Sequence, residues 1–507
     1  MPASVPFKRA GIGPSGDSMS DSDMASQGGA GALARTLTWK QGLIVAMGVP
    51  ILIIPSIADV STPMYSFSIA IWVISVLSGF FINLPLGEMC ATFGVAGMGG
   101  AVQHVFEDDE KYKGKRLNKG RLIGAMGAWC YFVGWVTVIP IFSMMVANYL
   151  MTLDMFSGIG DGFTRTLFYL GISLVVYVYT IGSSLKGLEG GAKLQLVLTL
   201  LTIIPIVVIA VSPMFFGNFH LDYIINDFHP ASGKWDGNAM LMIIALLCIA
   251  QWSAVGWETA AAYGAEYKDP AHDVPKALIL CGLVCLALYF LIPFAAYGTL
   301  GHAEIEEAGA ATMVPIANLC FGDLVGTIAV LFLVIGMVVV VQTAMQGCSR
   351  TIQVMATNGH MPLFLSHTNQ YGVPVKALLF EAGIGFLVII LGVTAYETLA
   401  ISCPCYALSH ALCQVAFLKS RRDPRFKDVE RVYKCPRGFF GVSVGVVILQ
   451  VCIFLPALLW YLNDTMGIVY CLMSGVLPLA YIPTWWYLQK WNHEKHPEIP
   501  NGLNYDL

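Results

Sequence analysis

The chain has 507 residues, 56% of them hydrophobic and only 12% charged, with a formal net charge of −4 and a mean hydropathy of +0.69. Soluble domains carry about 25% charged residues, so a soluble fold of this composition would expose far too much apolar surface. The net charge argues against a nucleic-acid binder, which needs a basic face.

Residues 1–38 are rich in Gly, Ser, Ala and Asp and read as a disordered tail, because such a segment cannot bury a core. No apolar stretch follows the first Met, so a cleaved signal peptide is not expected. Gly11, Gly13 and Gly16 spell GxGxxG, but no strand precedes them and no βαβ unit surrounds them, so nucleotide binding is not inferred. A bilayer-spanning helix needs about 20 apolar residues. Twelve runs qualify, near 41–63, 66–93, 123–150, 164–184, 190–213, 238–267, 275–300, 324–356, 375–395, 397–418, 439–461 and 466–488. The 13 cysteines, Cys90, Cys130, Cys248, Cys281 and Cys452 among them, are scattered through these runs, which is core usage rather than a disulfide framework.

Lys and Arg collect on the cytoplasmic side of membrane proteins. With the N-terminus inside, every one of the 28 except Arg165 and Lys234 falls in a cytoplasmic segment. The expected topology has both termini cytoplasmic. Asn463-Asp464-Thr465 is a glycosylation sequon on the outer side, in a loop too short to be used. The C-terminal segment 491–507 reads as a short polar tail.

Polar and helix-breaking features inside a bilayer are costly and mark functional positions. The first run reads Met47-Gly48-Val49-Pro50-Ile51-Leu52-Ile53-Ile54-Pro55. Pro50 removes a backbone donor, and Gly48 weakens the helix just before it. A broken helix at mid-membrane is tolerable only where protein or a water-filled cavity receives its free N–H and C=O groups. The sixth run reads Gln251-Trp252-Ser253-Ala254-Val255-Gly256-Trp257-Glu258-Thr259. Glu258 has no basic residue in its own helix, so it must be protonated, face a cavity or meet a cationic ligand. Interrupted helices five apart point to a transporter site between inverted repeats. Residues 39–213 and 214–418 would be the repeats, with 419–490 forming two further helices.

These residues resemble the amino acid–polyamine–organocation (APC) superfamily from about residue 40 to 490. The resemblance is carried by Gly48 to Pro55, by Glu88-Met89-Cys90 with Gly97 to Gly100, and by Gly256-Trp257-Glu258-Thr259 followed by Glu266, Lys268-Asp269-Pro270 and Val274-Pro275-Lys276-Ala277. Further along it is carried by Ser349-Arg350, Met355-Ala356, Asn358-Gly359, Met361-Pro362 and Val373 to Ala377, and by Arg431-Val432-Tyr433-Lys434-Cys435-Pro436. It implies an all-α polytopic membrane protein with a leucine-transporter (LeuT-type) fold, 5+5 inverted repeats plus two extra helices, and alternating access. It also implies a substrate site at Gly48, Val49, Pro50, Trp252, Ser253, Gly256 and Glu258, with Trp252 as gate and Glu258 serving proton coupling or contacting a cationic substrate.

Two departures shape the expectation. Pro50 offers no N–H to a substrate carboxylate, and Gly48-Val49-Pro50 is closer to the Gly-Gly-Pro of eukaryotic polyamine-uptake members. Those members also share the helix-six tryptophans and acid, and Gly127-Ala128-Trp129. The lysine that some proton-coupled members carry in helix five is replaced by Thr202, and Gln342-Thr343 stands where sodium-coupled relatives use a Ser/Thr pair. The expected function is a permease of the plasma membrane for amino acids or polyamines, cationic ones favoured, driven by a proton gradient. Sodium is disfavoured and no cofactor or metal is expected. An exchanger of the same fold is the alternative. A membrane enzyme lacks support, because neither HExxH nor an intramembrane aspartate pair occurs and Cys403-Pro404-Cys405 has no further ligands nearby. A channel fits paired broken helices less well.

Overall fold

The computed structural model of the chain describes residues 35–107, 117–156, 158–160, 162–496 and 502–503. The glycine motif at 11–16, most of the N-terminal tail and the loop lysines 111, 113 and 115 lie outside them. Among the described residues there is no β-strand, only two isolated bridges.

Ten helical stretches among the described residues are long and apolar enough to cross a membrane. The first, Trp39–Phe93, runs 55 residues, more than twice the ~20 one crossing needs. It contains α1 (Trp39–Ala46), a 3-10 segment (Val49–Ser56), α2 (Ile57–Met64) and α3 (Ser68–Phe93). Tyr65 separates α2 from α3 with a φ of +42°, a conformation that L-residues other than Gly, Asn and Asp rarely adopt. After α3 come α4 (Gly97–Phe106), α5 (Lys119–Val136), α6 (Val138–Met151), α7 (Phe163–Ser184), α8 (Gly187–Phe216) and the short α9 (Leu221–Asn226). Then follow α10 (Gly237–Ala254), a 3-10 turn (Gly256–Glu258), α11 (Thr259–Ala262), α12 (Pro270–Ala308), α13 (Met313–Phe321) and α14 (Asp323–Thr357). The chain ends with α15 (Val375–Ile390), α16 (Ala395–Arg422), α17 (Phe439–Ile448), a π-helical turn (Leu449–Phe454), α18 (Leu455–Thr465), α19 (Ile468–Val476) and α20 (Tyr481–Lys495). At 16 residues α15 falls just short of the length taken as a crossing.

Burial sorts the helices into an inner bundle and an outer ring. The Lys119–Met151 stretch is 94% buried along its most apolar window, against 22% for Phe163–Ser184. The outer helices turn Leu174, Val175, Val178, Val197 and Ile204 outward. A soluble monomer does not carry an apolar belt of that extent, and with ten apolar helical stretches among the described residues the chain is an integral multi-pass membrane protein.

The motif residues of the sequence form ion pairs at one end of the bundle. Glu88, at the end of α3, takes Arg421 and Arg431, the latter at 2.9 Å, and also accepts from the Cys435 N–H at 2.7 Å. Arg350 of α14 donates to Glu266 at 2.7 Å, both buried. Glu107 receives Arg121 and His360. A buried carboxylate is tolerated when it is paired and its lone pairs are filled, so these positions hold the helix ends and loops together.

Described residues near both ends of the chain pack onto the bundle. Leu37 is fully buried; its N–H donates to the Glu266 carbonyl at 3.0 Å and its carbonyl accepts from Lys268 N–H at 2.8 Å. An apolar residue with two backbone partners docks where composition alone reads disorder. At the other end, Gly502 carbonyl accepts from Asn118 N–H at 2.8 Å, and Gly502 N–H donates to Gln489 Oε1 at 2.8 Å.

Candidate functional site

The first helix stops at Ala46, passes through Met47 and Gly48, and resumes as eight residues of 3-10 helix. Runs of 3-10 helix longer than three or four residues are uncommon and often mark a hinge or a strained sequence. Pro50 and Pro55 lie in this stretch, and each removes one i→i−4 donor. The sixth run stops at Ala254, and Gly256–Glu258 forms a 3-10 turn before α11. Both interruptions stand where the Gly and Pro of the sequence place them.

The two breaks touch. A Cβ on Gly256 would lie 3.0 Å from Leu52 Cδ1 and 3.4 Å from Val49 Cγ1, so the absence of a side chain there lets the two breaks pack closely. Gly48 is likewise pressed against α14; a Cβ there would meet Thr343 Oγ1 at 2.5 Å. Of the seven expected site residues, Gly48, Val49 and Pro50 lie on one side of this contact and Trp252, Ser253, Gly256 and Glu258 on the other. All seven are buried.

Free backbone groups at the breaks are met by side chains. The Val45 carbonyl accepts from Thr343 Oγ1 at 2.9 Å and Gln195 Nε2 at 3.1 Å. The Val255 carbonyl accepts from Asn83 Nδ2 at 3.1 Å. Tyr289 of α12 joins the two breaks: its hydroxyl lies 2.8 Å from the Ser253 carbonyl and 3.3 Å from the Val49 carbonyl. Trp252, the expected gate, donates its Nε1–H to the Gly134 carbonyl at 3.1 Å.

Glu258 is 1% exposed. Its Oε1 accepts from Trp135 Nε1 at 2.9 Å and from the Tyr406 hydroxyl, while Oε2 is buried with no partner. No basic side chain forms an ion pair with it among the described residues. An uncompensated buried charge costs several kcal/mol, so a proton or a cationic ligand must neutralise this carboxyl.

Sequence reasoning missed Tyr289, Trp135, Tyr406, Asn83 and Gln195. The first four sit in unremarkable apolar stretches and acquire their role only through packing. Gln195 of α8 reaches the first break through its bond to the Val45 carbonyl. Thr202 donates to the Leu198 carbonyl at 2.8 Å within its own helix and packs against the Gly336 position beside Ile51. Seven residues are nearly two full turns, so Gln195 and Thr202 lie on one face of α8, both toward the first break. Among the described residues no three His, Cys, Asp or Glu side chains converge to hold a metal.

Two abutting helix breaks inside an apolar helical bundle, with an acid lacking an ion-pair partner at the junction, define a multi-pass membrane protein with a polar centre between its broken helices. The amino acid permease family model matches residues 37–477, and the chain belongs to that family. The serine/threonine exchanger SteT of Bacillus subtilis (strain 168) is 25% identical over 271 residues, covering 52% of this chain and 58% of the relative. The branched-chain amino acid permease BcaP of the same organism is 28% identical over 243 residues, covering 45% and 48%. The arginine/ornithine antiporter of Latilactobacillus sakei is 24% identical over 239 residues, covering 46% and 47%. The chain thus spans about half the length of these curated relatives. The family and these relatives are transporters, not enzymes.

Proposed function

We propose that the protein is a secondary active permease that carries amino acids or polyamines across a membrane by alternating access. The reading has twelve spans in a LeuT-type arrangement, residues 39–213 and 214–418 as inverted repeats, both termini cytoplasmic, and residence in the plasma membrane. The observation that carries it is the contact of the two helix breaks at Val49 and Gly256. A half-helix end there presents backbone dipoles to a charged substrate group. Carbonyls at Val49 and Ser253, bridged by Tyr289, are suited to an ammonium, and Pro50 withholds one N–H from a carboxylate. Cationic substrates are therefore favoured. Glu258 serves as the proton-coupling residue, because its unmatched Oε2 leaves room for a proton or a cation. Trp252 closes the site.

An exchanger of the same architecture is the second reading, favoured because two of the relatives are an exchanger and an antiporter. Uptake of labelled arginine, leucine, GABA and putrescine by transport-deficient cells, with and without internal substrate, tests both. Concentrative uptake into empty cells at acid pH supports the symporter; uptake only after preloading supports the exchanger. Saturable uptake of none of the four would contradict both.

A further inference from the structure

Glu381 is a second buried acid, and the helix breaks do not use it. It lies on α15 and is fully buried. Among the described residues neither of its carboxyl oxygens has a hydrogen-bond partner, whereas Glu258 has one oxygen matched twice. Even a protonated carboxyl has a donor and acceptors to satisfy, and leaving them bare in the interior is costly. A second arrangement of the helices that supplies a partner would account for an acid kept in such a place.

The partner is at hand on α14, against which α15 packs. Cys348 of α14 donates to the Phe132 carbonyl at 3.7 Å. The Phe132 ring stacks on Phe380, next to Glu381, with centroids 6.5 Å apart. Arg350 follows Cys348 by two residues and is the charged side chain, among the described residues, whose field reaches Glu381. The other titratable groups on these faces are the Cys348 thiol, Tyr177 of α7, packed on Gly385 one turn along α15, and Tyr263, whose ring lies 5.9 Å from the guanidinium. Arg350 has donor capacity to spare. Its Nε donates to Glu266 Oε1 at 2.7 Å, and its Nη1 to the Gln346 carbonyl at 2.9 Å and to Ser349 Oγ at 3.4 Å. Among the described residues Nη2 makes no hydrogen bond. The Glu266 pair ties α14 to the segment between α11 and α12, just past the break in the sixth run. That segment cannot leave α14 with the pair intact.

We propose that Glu381 is the alternative partner of Arg350 and the proton-binding site of a charge switch at the end of the bundle where the ion pairs lie. While the segment after the sixth-run break is docked, Arg350 holds Glu266 and Glu381 keeps its proton. When the segment leaves, Glu266 goes with it into water and Arg350 turns to Glu381. The O–H bond of the Glu381 carboxyl then breaks, its proton passes to water, and the carboxylate stays with the guanidinium. A buried Arg350 is paired in both states, which avoids the cost of a lone buried charge. The exchange of partners does not depend on what the protein carries. Its use, to make opening at this end respond to the pH there, rests on the proposed carrier reading.

One arm of the test needs no transport. It reads the unfolding temperature of the purified full chain at about pH 8, where an acid freed to ionise does so. In the wild-type background Glu381 has no partner, so Glu381→Gln should leave that temperature unchanged or raise it. In a Glu266→Gln background Glu381 is the remaining partner of Arg350, and the same substitution should lower it by several degrees. Glu266→Asp, a shorter acid that loosens the pair, carries the same comparison if Glu266→Gln does not survive purification. A change of the same sign and size in both backgrounds overturns the switch. The second arm measures uptake of labelled arginine, leucine, GABA and putrescine by cells with clamped internal pH. For whichever of these the wild type moves, Vmax should rise as internal pH goes from about 6 to about 8, and Glu381→Gln should flatten the rise with KM retained. An identical internal-pH profile in the variant contradicts the switch. A wild type that moves none of the four sinks the carrier reading, while the thermal comparison still decides whether Arg350 changes partners.

Discussion

Trp135 Nε1 donates to Oε1 of Glu258 at 2.9 Å, tying the end of α5 to the break in the sixth run. Tyr406 of α16 donates to the same oxygen. One carboxyl oxygen is therefore held by two other helices, and its twin Oε2 has no partner. An arrangement of this kind fixes where the acid sits and leaves half of it open to a change of charge or ligand.

The link between the breaks is testable at Tyr289. Its hydroxyl serves carbonyls at both Ser253 and Val49. A neutral hydrogen bond contributes about 0.5–1.5 kcal/mol, and leaving a buried acceptor unmatched costs about 1–3 kcal/mol. Tyr289→Phe should weaken substrate affinity roughly 10-fold while surface expression is retained. Uptake kinetics beside surface biotinylation check this; wild-type KM in well-expressed protein would leave Tyr289 a packing residue.

Much of this architecture is legible in the chain before folding. Gly48, Pro50 and Gly256 mark both breaks, because glycine and proline act on the backbone locally. The contact between the breaks is not legible, since it depends on how α1 and α10 pack. Leu37 shows a different limit: its Gly- and Ser-rich context reads as disorder, yet this one apolar residue makes two backbone bonds, to Glu266 and Lys268.

Pro50 tests substrate class at the break. Pro50→Gly returns one amide donor. A hydrogen bond to a charged group contributes about 1.5–3 kcal/mol, or roughly 10- to 150-fold in affinity. Competition uptake should shift toward zwitterionic amino acids and away from diamines. An unchanged ranking would make the break a structural kink.

Arg350 and Glu266 form a buried pair at 2.7 Å. Removing one partner of such a pair costs about 3–5 kcal/mol, because the other charge stays buried alone. Arg350→Gln and Glu266→Gln should each lower the unfolding temperature of purified protein, and the double variant should lose less than the sum. Additive losses in the double-mutant cycle would show that the two do not interact energetically.

His360, in the loop after α14, should make stability pH-dependent. It is fully buried; its Nδ1 accepts from Trp485 Nε1 at 3.0 Å and its Nε2 faces Glu107. That pattern requires the neutral ring protonated on Nε2. Burial pushes its pKa below the ordinary histidine value of 6.5. The unfolded chain then binds the proton more readily, so this contribution is complete above about pH 6.5 and is lost as pH falls below it. Thermal unfolding between pH 7.5 and 5 should show the loss, and His360→Gln should flatten it. An identical slope in the variant would assign the effect to other groups.

The most direct test of the account is pH-dependent uptake by Glu258→Gln. The amide keeps the size and the acceptor for Trp135 and Tyr406 but cannot titrate. The account predicts that the variant reaches the membrane and loses pH-dependent accumulation of labelled substrate. Surviving binding would assign Glu258 to proton coupling, and lost binding would assign it to direct contact with a cation. Wild-type, pH-dependent concentrative uptake by the variant would contradict both roles and leave Glu258 a neutral structural residue.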